Sequence, residues 1–275
     1  MDPRVQRRIQ RYGWDLAACA YEPLWHAPLA PVHTALVACA GLLPGERVLD
    51  VACGTGEVTL SIAARVAPGE AVGVDLSGRM IDAARLAARE RRVANVRFER
   101  MDAEQLGLAE GSFDVALCAL GLMYVPHPQR AAREMRRMLR PGGRMVLAVW
   151  GERSRCGWSA VFPIIDAEVD SDVCPLFFQL GRGDALARLC VESGLEVRQQ
   201  SRITATLDFA DEAAACDAAL VGGPVALAWS RFDEAVRARV RRRYLDAIAG
   251  WRHGGRYRIP GEFVVVAASL ADGFA

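Results

Sequence analysis

Between residues 47 and 150 the chain alternates short apolar runs with segments in which apolar residues recur at helical spacing. The apolar runs predict strands near residues 48–51, 71–75, 96–98, 113–117 and 145–149. Helical segments follow the first and second of these runs and precede the fifth. Strands that alternate with helices in this way build parallel sheets, so an α/β fold with a parallel sheet at its centre is predicted.

A glycine-containing turn, Asp-Val-Ala-Cys-Gly-Thr-Gly at residues 50–56, stands between the first predicted strand and the first predicted helix. Gly54 and Gly56 let the backbone approach a ligand where a Cβ would collide, and a helix N-terminus favours a negative group. Asp75 ends the second strand 19 residues after Gly56, where a carboxylate can accept hydrogen bonds from both hydroxyls of a ribose. The pattern therefore predicts a nucleoside-containing ligand at this edge of the sheet.

Two residues narrow the class of nucleoside. Thr59 occupies the position of the third glycine in the dinucleotide pattern Gly-x-Gly-x-x-Gly, which disfavours close packing around a pyrophosphate. Asp50, at the tip of the first strand, would repel a pyrophosphate but suits a ligand that carries an ammonium and a sulfonium. Both residues favour S-adenosylmethionine. A nicotinamide-dependent oxidoreductase and a non-catalytic nucleoside-binding protein remain the alternatives.

The motifs of the central segment resemble those of the class I S-adenosylmethionine-dependent methyltransferases. They are Val-Leu-Asp-Val-Ala-Cys-Gly-Thr-Gly at 48–56, Gly-Val-Asp-Leu-Ser at 73–77 with Met80 after it, Asp-Ala-Glu at 102–104, Ser-Phe-Asp at 112–114 and Leu-Arg-Pro-Gly-Gly at 139–143. Within that class the chain most resembles the ubiquinone/menaquinone biosynthesis methyltransferase-like family. The resemblance covers roughly residues 45–150, and the flanking segments match only loosely.

The resemblance implies a Rossmann-like fold with a seven-stranded, mostly parallel sheet. Residues 1–44 are expected to form an N-terminal helical cover, and residues 45–150 the core that binds S-adenosylmethionine. Residues 151–275 are expected to complete the sheet, with strands near 195–203 and 263–268, and to carry a helical insertion over the substrate.

The same resemblance implies which residues hold the methyl donor. The turn at 50–56 would wrap the methionine moiety, Asp75 would bind the ribose, and Asp102 would accept a hydrogen bond from the adenine amino group. The full set is Tyr21, Asp50, Ala52, Cys53, Gly54, Thr55, Gly56, Asp75, Leu76, Met80, Asp102, Ala103, Cys118 and Ala119. Two alternatives stay open: Asp102 caps only the turn around Glu104, or Met80 is only a core residue.

Methyl transfer requires mainly in-line placement of donor and acceptor, so the sequence assigns no catalytic residue. A base is needed only if the acceptor loses a proton. The candidates are His26, His33, His127, His253, Tyr21 and Tyr124. For His127 we expect a helix-capping role instead. Residues 118–124 are mostly apolar and carry no motif of the nucleic-acid methyltransferases, which favours a small hydrophobic or aromatic acceptor.

Composition excludes several other classes of function. The eight cysteines stand singly, with no Cys-x-x-Cys pair, and no acidic cluster is present, so no metal is predicted. A net charge of +1 gives no electrostatic case for nucleic acid. No apolar run reaches the roughly 18 residues of a membrane span, and no secretory signal is evident. We expect a cytoplasmic protein with a small-molecule substrate, for which a homodimer is compatible with the sequence.

Overall fold

A computed structural model describes residues 2–169, 174 and 176–270 of the chain. Met1 of the predicted N-terminal cover and residues 170–173, 175 and 271–275 of the predicted C-terminal segment lie outside the described residues. The strands are β1 (Arg47–Val51), β2 (Glu70–Asp75), β3 (Val96–Arg100), β4 (Phe113–Ala119), β5 (Leu139–Trp150), β6 (Glu196–Phe209), β7 (Arg252–His253) and β8 (Arg256–Ser269). The α-helices are α1 (Pro3–Ala40), α2 (Glu57–Val66), α3 (Gly78–Glu90), α4 (Pro128–Met138), α5 (Val161–Asp166), α6 (Ala185–Glu192), α7 (Glu212–Leu220), α8 (Ala226–Arg231) and α9 (Glu234–Ile248).

The sheet has the strand order β3-β2-β1-β4-β5-β8-β6, and the two-residue β7 pairs with β8. Neighbours among β1 to β5 run parallel, whereas β8 runs antiparallel to both β5 and β6. Within the described chain this gives the predicted mostly parallel sheet of seven strands, with β7 as a short addition. Its central strands are buried on both faces, as apolar runs without alternation predict: Val48, Leu49 and Val51 are fully buried.

The predicted N-terminal cover is one helix, α1. Asp2 caps it by accepting a hydrogen bond from the Arg4 backbone N–H at 2.7 Å. The helix continues through Pro23, Pro28 and Pro31, although each interior proline removes a backbone donor. Its apolar side chains, among them Trp25, Leu29, Val32 and Leu36, are buried in the main core, where α1 contacts β5, β6 and β8. Tertiary packing therefore sustains a helix that proline content alone would break.

The structure departs from the predicted boundaries at two places. Strands β6 and β8 extend beyond 195–203 and 263–268, and they pair with each other from Glu196 and Ser269 to Phe209 and Tyr257. Pro260 and Gly261 hide the first half of β8 from pattern-based prediction, because both residues weaken strands. Strand β5 begins at Leu139, directly after α4 ends at Met138, and not near the predicted residue 145. No helix among the described residues combines the length and apolarity that a membrane crossing requires.

Candidate functional site

A cavity lies beneath α1 at the carboxyl ends of β1, β2 and β4. The space within it, including the part open to solvent, is about 1000 Å³. The predicted residues that line it are Tyr21, Ala52, Gly54, Asp75, Leu76, Met80, Asp102, Ala103 and Ala119. A narrower wing continues past Tyr21 and Ala119 and is lined by Asp50, Cys53 and Thr55.

Asp50 is buried at the tip of β1, and only one of its two carboxyl oxygens has a hydrogen-bond partner among the described residues. Its Oδ2 accepts a hydrogen bond from the Thr59 hydroxyl at 2.6 Å. Its Oδ1 is buried and has no hydrogen-bond partner among the described residues. Burial raises the pKa of Asp50 to about 7, although the hydrogen bond from Thr59 lowers it. The negative charge of the nearby Asp75 adds to the rise. A cationic ligand in the wing would therefore favour the ionised form of this carboxyl group and form an ion pair with it.

Asp75 stands at the end of the neighbouring strand. Its carboxylate accepts hydrogen bonds from the Gly54 backbone N–H at 2.9 Å and the Ser77 backbone N–H at 2.8 Å. Burial raises the pKa of Asp75 to about 6, although these two hydrogen bonds favour the ionised form. The parallel register sets Asp50 opposite Gly73, so the two acids occupy adjacent strand ends. Their remaining lone pairs suit the hydroxyls and the ammonium of a nucleoside ligand.

The two glycines of the turn have different surroundings. Gly54 lines the cavity with a φ of +55°, and a Cβ there would meet only Tyr21, at 4.0 Å. Gly56 begins α2 with a φ of +85°, and a Cβ there would lie 2.8 Å from Phe98 and 2.9 Å from Ala84. Gly54 thus leaves room for a ligand, whereas Gly56 allows α2 to pack closely and does not line the cavity. Cys118 is buried behind the floor and does not line it either.

Two non-glycine residues with positive φ flank the same turn. Ala52 (φ +58°) follows β1, and Leu120 (φ +60°) follows β4. Both line the cavity, and their Cβ-bearing backbones cost roughly 1–2 kcal/mol each in this conformation. Strain of this kind concentrates at binding sites, where the surrounding structure holds it in place.

The end of the cavity near β3 carries an ion-pair group. Asp102 Oδ2 lies 2.9 Å from Arg7 Nε, and Asp102 Oδ1 accepts a hydrogen bond from the Glu104 backbone N–H at 2.9 Å. Arg7 also donates to the Glu104 carboxylate at 2.7 Å. Asp102 therefore does cap the turn around Glu104, and it lines the cavity as well. Met80 is likewise a core residue, 2% exposed, that also lines the cavity.

Aromatic side chains form the opposite lobe. Trp14, Tyr21 and Trp25 project from α1 at spacings of seven and four residues, which places them on one helix face. Trp150 ends β5, and Trp158 lies in the 3₁₀ turn Gly157–Ala160, with ring centroids 4.9 Å apart. Sequence analysis missed Arg7, Trp150 and Trp158. The α1 aromatic spacing was the one available signal for this lobe.

Burial makes three of the candidate bases, Tyr21, Tyr124 and His33, poorly suited to remove a proton. Burial, and then Glu22 and Asp75, raise the pKa of Tyr21, and burial raises the pKa of Tyr124 well above its usual value. Burial lowers the pKa of His33 to about 4, so that imidazole is neutral at pH 7. His127 occupies the N-cap position of α4, but its imidazole makes no capping hydrogen bond within the described chain. Of the six candidates, Tyr21 and Tyr124 line the main cavity, and both remain protonated phenols at neutral pH.

A group of three potential metal ligands borders the wing. Glu22, His26 and Glu57 place one ligand atom each within 4.8 Å of one another. Glu22 already accepts hydrogen bonds from Thr55 at 2.6 Å and lies 2.8 Å from His26 Nδ1, and Glu57 pairs with Arg91 at 2.7 Å. The group ties α1 to the glycine turn through these contacts.

Comparison with known proteins identifies the central segment. A family described as a methyltransferase domain matches residues 48–143. The ubiquinone/menaquinone biosynthesis C-methyltransferase UbiE of Ectopseudomonas mendocina (strain ymp) is 43% identical over 110 residues, 39% of this chain and 43% of that protein. The chain therefore spans less than half the length of that curated relative. The predicted resemblance is confirmed for the core.

Solved structures agree over most of the chain. A putative methyltransferase from Bacillus halodurans C-125 superposes with a TM-score of 0.63 at 20% identity, over 87% of this chain and 99% of that one. Geranyl diphosphate C-methyltransferase from Streptomyces coelicolor A3(2), in complex with Mg²⁺, geranyl diphosphate and S-adenosylhomocysteine, gives 0.54 at 17% identity, over 90% and 82%. These likenesses confirm the predicted class I, Rossmann-like fold.

Proposed function

We propose, from the class I methyltransferase domain that residues 48–143 carry, that this protein transfers the methyl group of S-adenosylmethionine to a small apolar or aromatic molecule. When bound, S-adenosylmethionine supplies an electrophilic methyl group on a sulfonium and leaves as the thioether S-adenosylhomocysteine. The residues of this chain bind the donor, hold the acceptor in line with it and exclude water. Positioning of this kind supplies most of the acceleration that such a reaction needs.

The unpaired Oδ1 of Asp50 is the observation that carries the proposal. A buried carboxyl oxygen without a partner is costly, and an ammonium offsets that cost by forming a charge-assisted hydrogen bond. Asp75 stands at the adjacent strand end and is partly buried, so the site offers two neighbouring acids to one ligand. Two acids attract an ammonium and a sulfonium, and they repel the pyrophosphate of a nicotinamide dinucleotide.

The lining supports one position for each part of the donor. Asp50 would hold the methionine ammonium in the wing, next to the backbone of Cys53 and Gly54. Asp75 would accept hydrogen bonds from the ribose hydroxyls. The adenine would lie among Leu76, Met80, Asp102 and Ala103, which line the same stretch of wall. Tyr21 lines both the main cavity and the wing, which supports a place over the sulfur.

The aromatic lobe supports an apolar acceptor. Trp25, Trp150 and Trp158 are at most 4% exposed, and all three line the cavity. The cavity lining also includes Tyr21 and Tyr124, whose phenols stay protonated at neutral pH. An acceptor held here would therefore attack through an atom that is already nucleophilic at neutral pH.

Calorimetry with S-adenosylhomocysteine and with NAD tests the donor assignment. We expect heat of binding for S-adenosylhomocysteine alone. Asp75→Ala should weaken that binding at least about tenfold, because charge-assisted hydrogen bonds contribute roughly 1.5–3 kcal/mol each. Asp82→Ala is the matched control, since Asp82 lies on α3 with its side chain 74% exposed. Binding of NAD, or unchanged affinity in Asp75→Ala, would overturn the proposal.

A search for the acceptor completes the test. The protein is incubated with metabolite extracts and with donor whose methyl group is labelled, and products are identified by a mass gain of one labelled methylene. Asp50→Asn serves as the inactive control, because it keeps the side-chain volume and removes the charge. Absence of labelled product from every extract, despite binding of S-adenosylhomocysteine, would favour a non-catalytic nucleoside-binding protein.

A further inference from the structure

A side chain of α1, Asp15, contacts the turn between β2 and α3. Only two residues separate the end of β2 from the start of α3. The Ser77 hydroxyl donates to Asp15 Oδ1 at 2.6 Å, and the Arg79 backbone N–H donates to the same oxygen at 3.2 Å. An acid of α1 therefore accepts two hydrogen bonds from a part of the chain whose serine lies 62 residues further on.

Ser77 connects Asp15 with the acid at the end of β2. It is 1% exposed, and as the N-cap of α3 its hydroxyl accepts a hydrogen bond from the Met80 backbone N–H at 3.1 Å. Its own backbone N–H donates to Asp75 Oδ1 at 2.8 Å. Capping uses only a lone pair of the hydroxyl, and the short, charge-assisted hydrogen bond to Asp15 uses its proton. Because the hydroxyl is held on both sides, the Ser77 backbone N–H keeps one direction towards Asp75.

Asp15 affects the cavity only through its neighbours. Among the described residues, neither Asp15 nor Ser77 lines the cavity or the wing, whereas Asp75 lines the cavity. Burial raises the pKa of Asp75 to about 6, and the negative charge of Asp15 adds to the rise. Asp15 therefore influences the site in two ways, by the hydrogen bonds that run through Ser77 and by its charge.

We propose that Asp15 is a positioning residue for the methyl donor: through Ser77 it holds the Asp75 carboxylate in the orientation that binds the ribose hydroxyls. This inference rests on the proposed function and adds a residue that lies outside the motifs of the central segment. A carboxylate that is already oriented loses less conformational freedom when the ligand binds, so its affinity is higher. The rival is a purely structural role, in which Asp15 only supplies an acceptor to the N-terminus of α3.

Two substitutions separate the hydrogen bonds of Asp15 from its charge. Asp15→Ala removes both, whereas Asp15→Asn keeps an oxygen that can accept the Ser77 hydroxyl proton. Dissociation constants for S-adenosylhomocysteine are measured by calorimetry on the full chain between pH 5 and 8. At pH 8 we expect Asp15→Ala to bind roughly fivefold more weakly, the equivalent of one hydrogen bond of about 1 kcal/mol. Asp15→Asn should bind as the unmutated protein does.

The pH profile of Asp15→Asn is a readout that a structural role would not change. The variant removes the negative charge that helps to raise the pKa of Asp75, so Asp75 should ionise at lower pH. The loss of affinity between pH 8 and pH 5 should therefore be smaller than in the unmutated protein, by roughly threefold. Asp82→Asn is the matched control, because it removes the same charge from a side chain of α3 that is 74% exposed, and it should leave the profile unchanged.

Other titratable groups near Asp75 are the same in both proteins. Of these, Asp50 titrates in the measured range, with a pKa of about 7. Burial raises the pKa values of the nearby phenol and thiols, which stay protonated at neutral pH. The comparison of the two profiles therefore isolates the charge of Asp15. The groups that act on Asp75, or respond to it, from the surrounding elements are Tyr21 of α1, Asp50 of β1, Cys53 of the glycine turn, Cys118 of β4 and, opposite it in the sheet, Arg100 of β3.

Carboxyl ¹³C NMR on the ligand-free protein reads Asp75 directly, and the resonance that is lost in Asp75→Asn identifies it. We expect its titration to move to lower pH in Asp15→Asn, a result that does not depend on whether Asp15→Ala folds. Thermal denaturation tests the rival role. If Asp15→Ala is less stable but binds S-adenosylhomocysteine as tightly as before, and Asp15→Asn keeps the original pH profile, the inference is overturned.

These outcomes are separate from the failure of the proposed function. If the unmutated chain binds S-adenosylhomocysteine and neither substitution of Asp15 changes the affinity or its pH profile, the assignment of Asp15 alone is overturned. If the titration of Asp75 moves in Asp15→Asn but the unmutated chain does not bind S-adenosylhomocysteine, methyl transfer is overturned and the control of Asp75 by Asp15 remains.

Discussion

The hydroxyl of Thr59 donates to one oxygen of Asp50 at 2.6 Å, and within the described chain the other oxygen of that carboxyl group is buried without a partner. Thr59 stands where a dinucleotide-binding turn commonly has glycine. Here it holds the orientation of Asp50 from the first turn of α2. The ligand-free site therefore contains a preoriented acid whose second oxygen is free for a cation.

Asp50→Asn should stabilise the ligand-free protein at pH 8. The folded-state pKa, about 7, lies above the ordinary value of 3.8, so ionisation of Asp50 costs folding free energy as the pH rises from about 4 to 7. The variant removes this cost, which is up to about 4 kcal/mol at 1.36 kcal/mol per pKa unit. Urea denaturation should show the gain at pH 8 and a smaller gain at pH 5.

Asp114→Asn is the matched control for this prediction. Asp114 is also buried, but it accepts a hydrogen bond from the Arg47 backbone N–H at 2.7 Å and pairs with Arg140. Its replacement should destabilise the protein at both pH values. The interpretation of Asp50 is contradicted if Asp50→Asn is less stable than the unmutated chain at pH 8.

Affinity for S-adenosylhomocysteine should rise with pH. Asp50 and Asp75 have pKa values of about 7 and 6 in the empty site, and an ammonium binds their ionised forms. We expect the association constant to rise between pH 5 and 8, by up to about tenfold per unit where one group must ionise. Calorimetry in buffers of different ionisation enthalpy should detect released protons at pH 6.

Thr59→Val sharpens the pH prediction. Loss of the hydroxyl removes the hydrogen bond that favours the ionised form, so the pKa of Asp50 should rise further and the increase in affinity should shift to higher pH. Thr59→Ser retains the hydroxyl and should keep the original profile. An affinity that is flat from pH 5 to 8 would show that neither acid ionises on binding.

Local sequence patterns were sufficient to predict much of the fold. Unbroken apolar runs identify β1, β2, β4 and β5, because strands buried on both faces need no polar residues. Ser77 is the N-cap of α3, a position that favours serine, and it accepts a hydrogen bond from the Met80 backbone N–H at 3.1 Å. Asp50 and Asp75 were identifiable because each follows an apolar run near the end of its strand.

The rest of the site depends on contacts that no local pattern encodes. Arg7 meets Asp102 only because α1 crosses the cavity, and Trp158 meets Trp25 across more than a hundred residues of chain. Their roles require the tertiary fold to be known. The sequence also presents Gly54 and Gly56 as equivalent, whereas their surroundings differ.

Alanine substitutions should separate the two glycines of the turn. Gly56→Ala should destabilise the protein by roughly 3 kcal/mol or more, because it adds the strain of a positive φ and a collision with Phe98 and Ala84. Gly54→Ala should cost only the strain, roughly 1–2 kcal/mol, and should weaken binding of S-adenosylhomocysteine by filling space in the cavity. Thermal denaturation and calorimetry measure the two effects.

Gly142→Ala supplies the reference for strain alone, since Gly142 has a φ of +74° and nothing lies within 4 Å of its Cβ position. Its stability loss should match that of Gly54→Ala, with no loss of binding. If Gly56→Ala were no less stable than Gly142→Ala, close packing of α2 would not explain why glycine is needed at position 56.

Arg7→Met should accelerate the exchange of S-adenosylhomocysteine. Arg7 ties the first turns of α1 to Asp102 and Glu104, at the end of the cavity where the adenine would lie. Methionine keeps an apolar stem of similar length but releases both carboxylates, so α1 should open more often. A partly buried pair of this kind contributes about 1 kcal/mol, so stopped-flow measurements should show association and dissociation both faster by about fivefold.

Arg8→Met is the control, because Arg8 is exposed and has no ion pair within the described chain. Unchanged rates in Arg7→Met would show that ligands enter without displacement of α1.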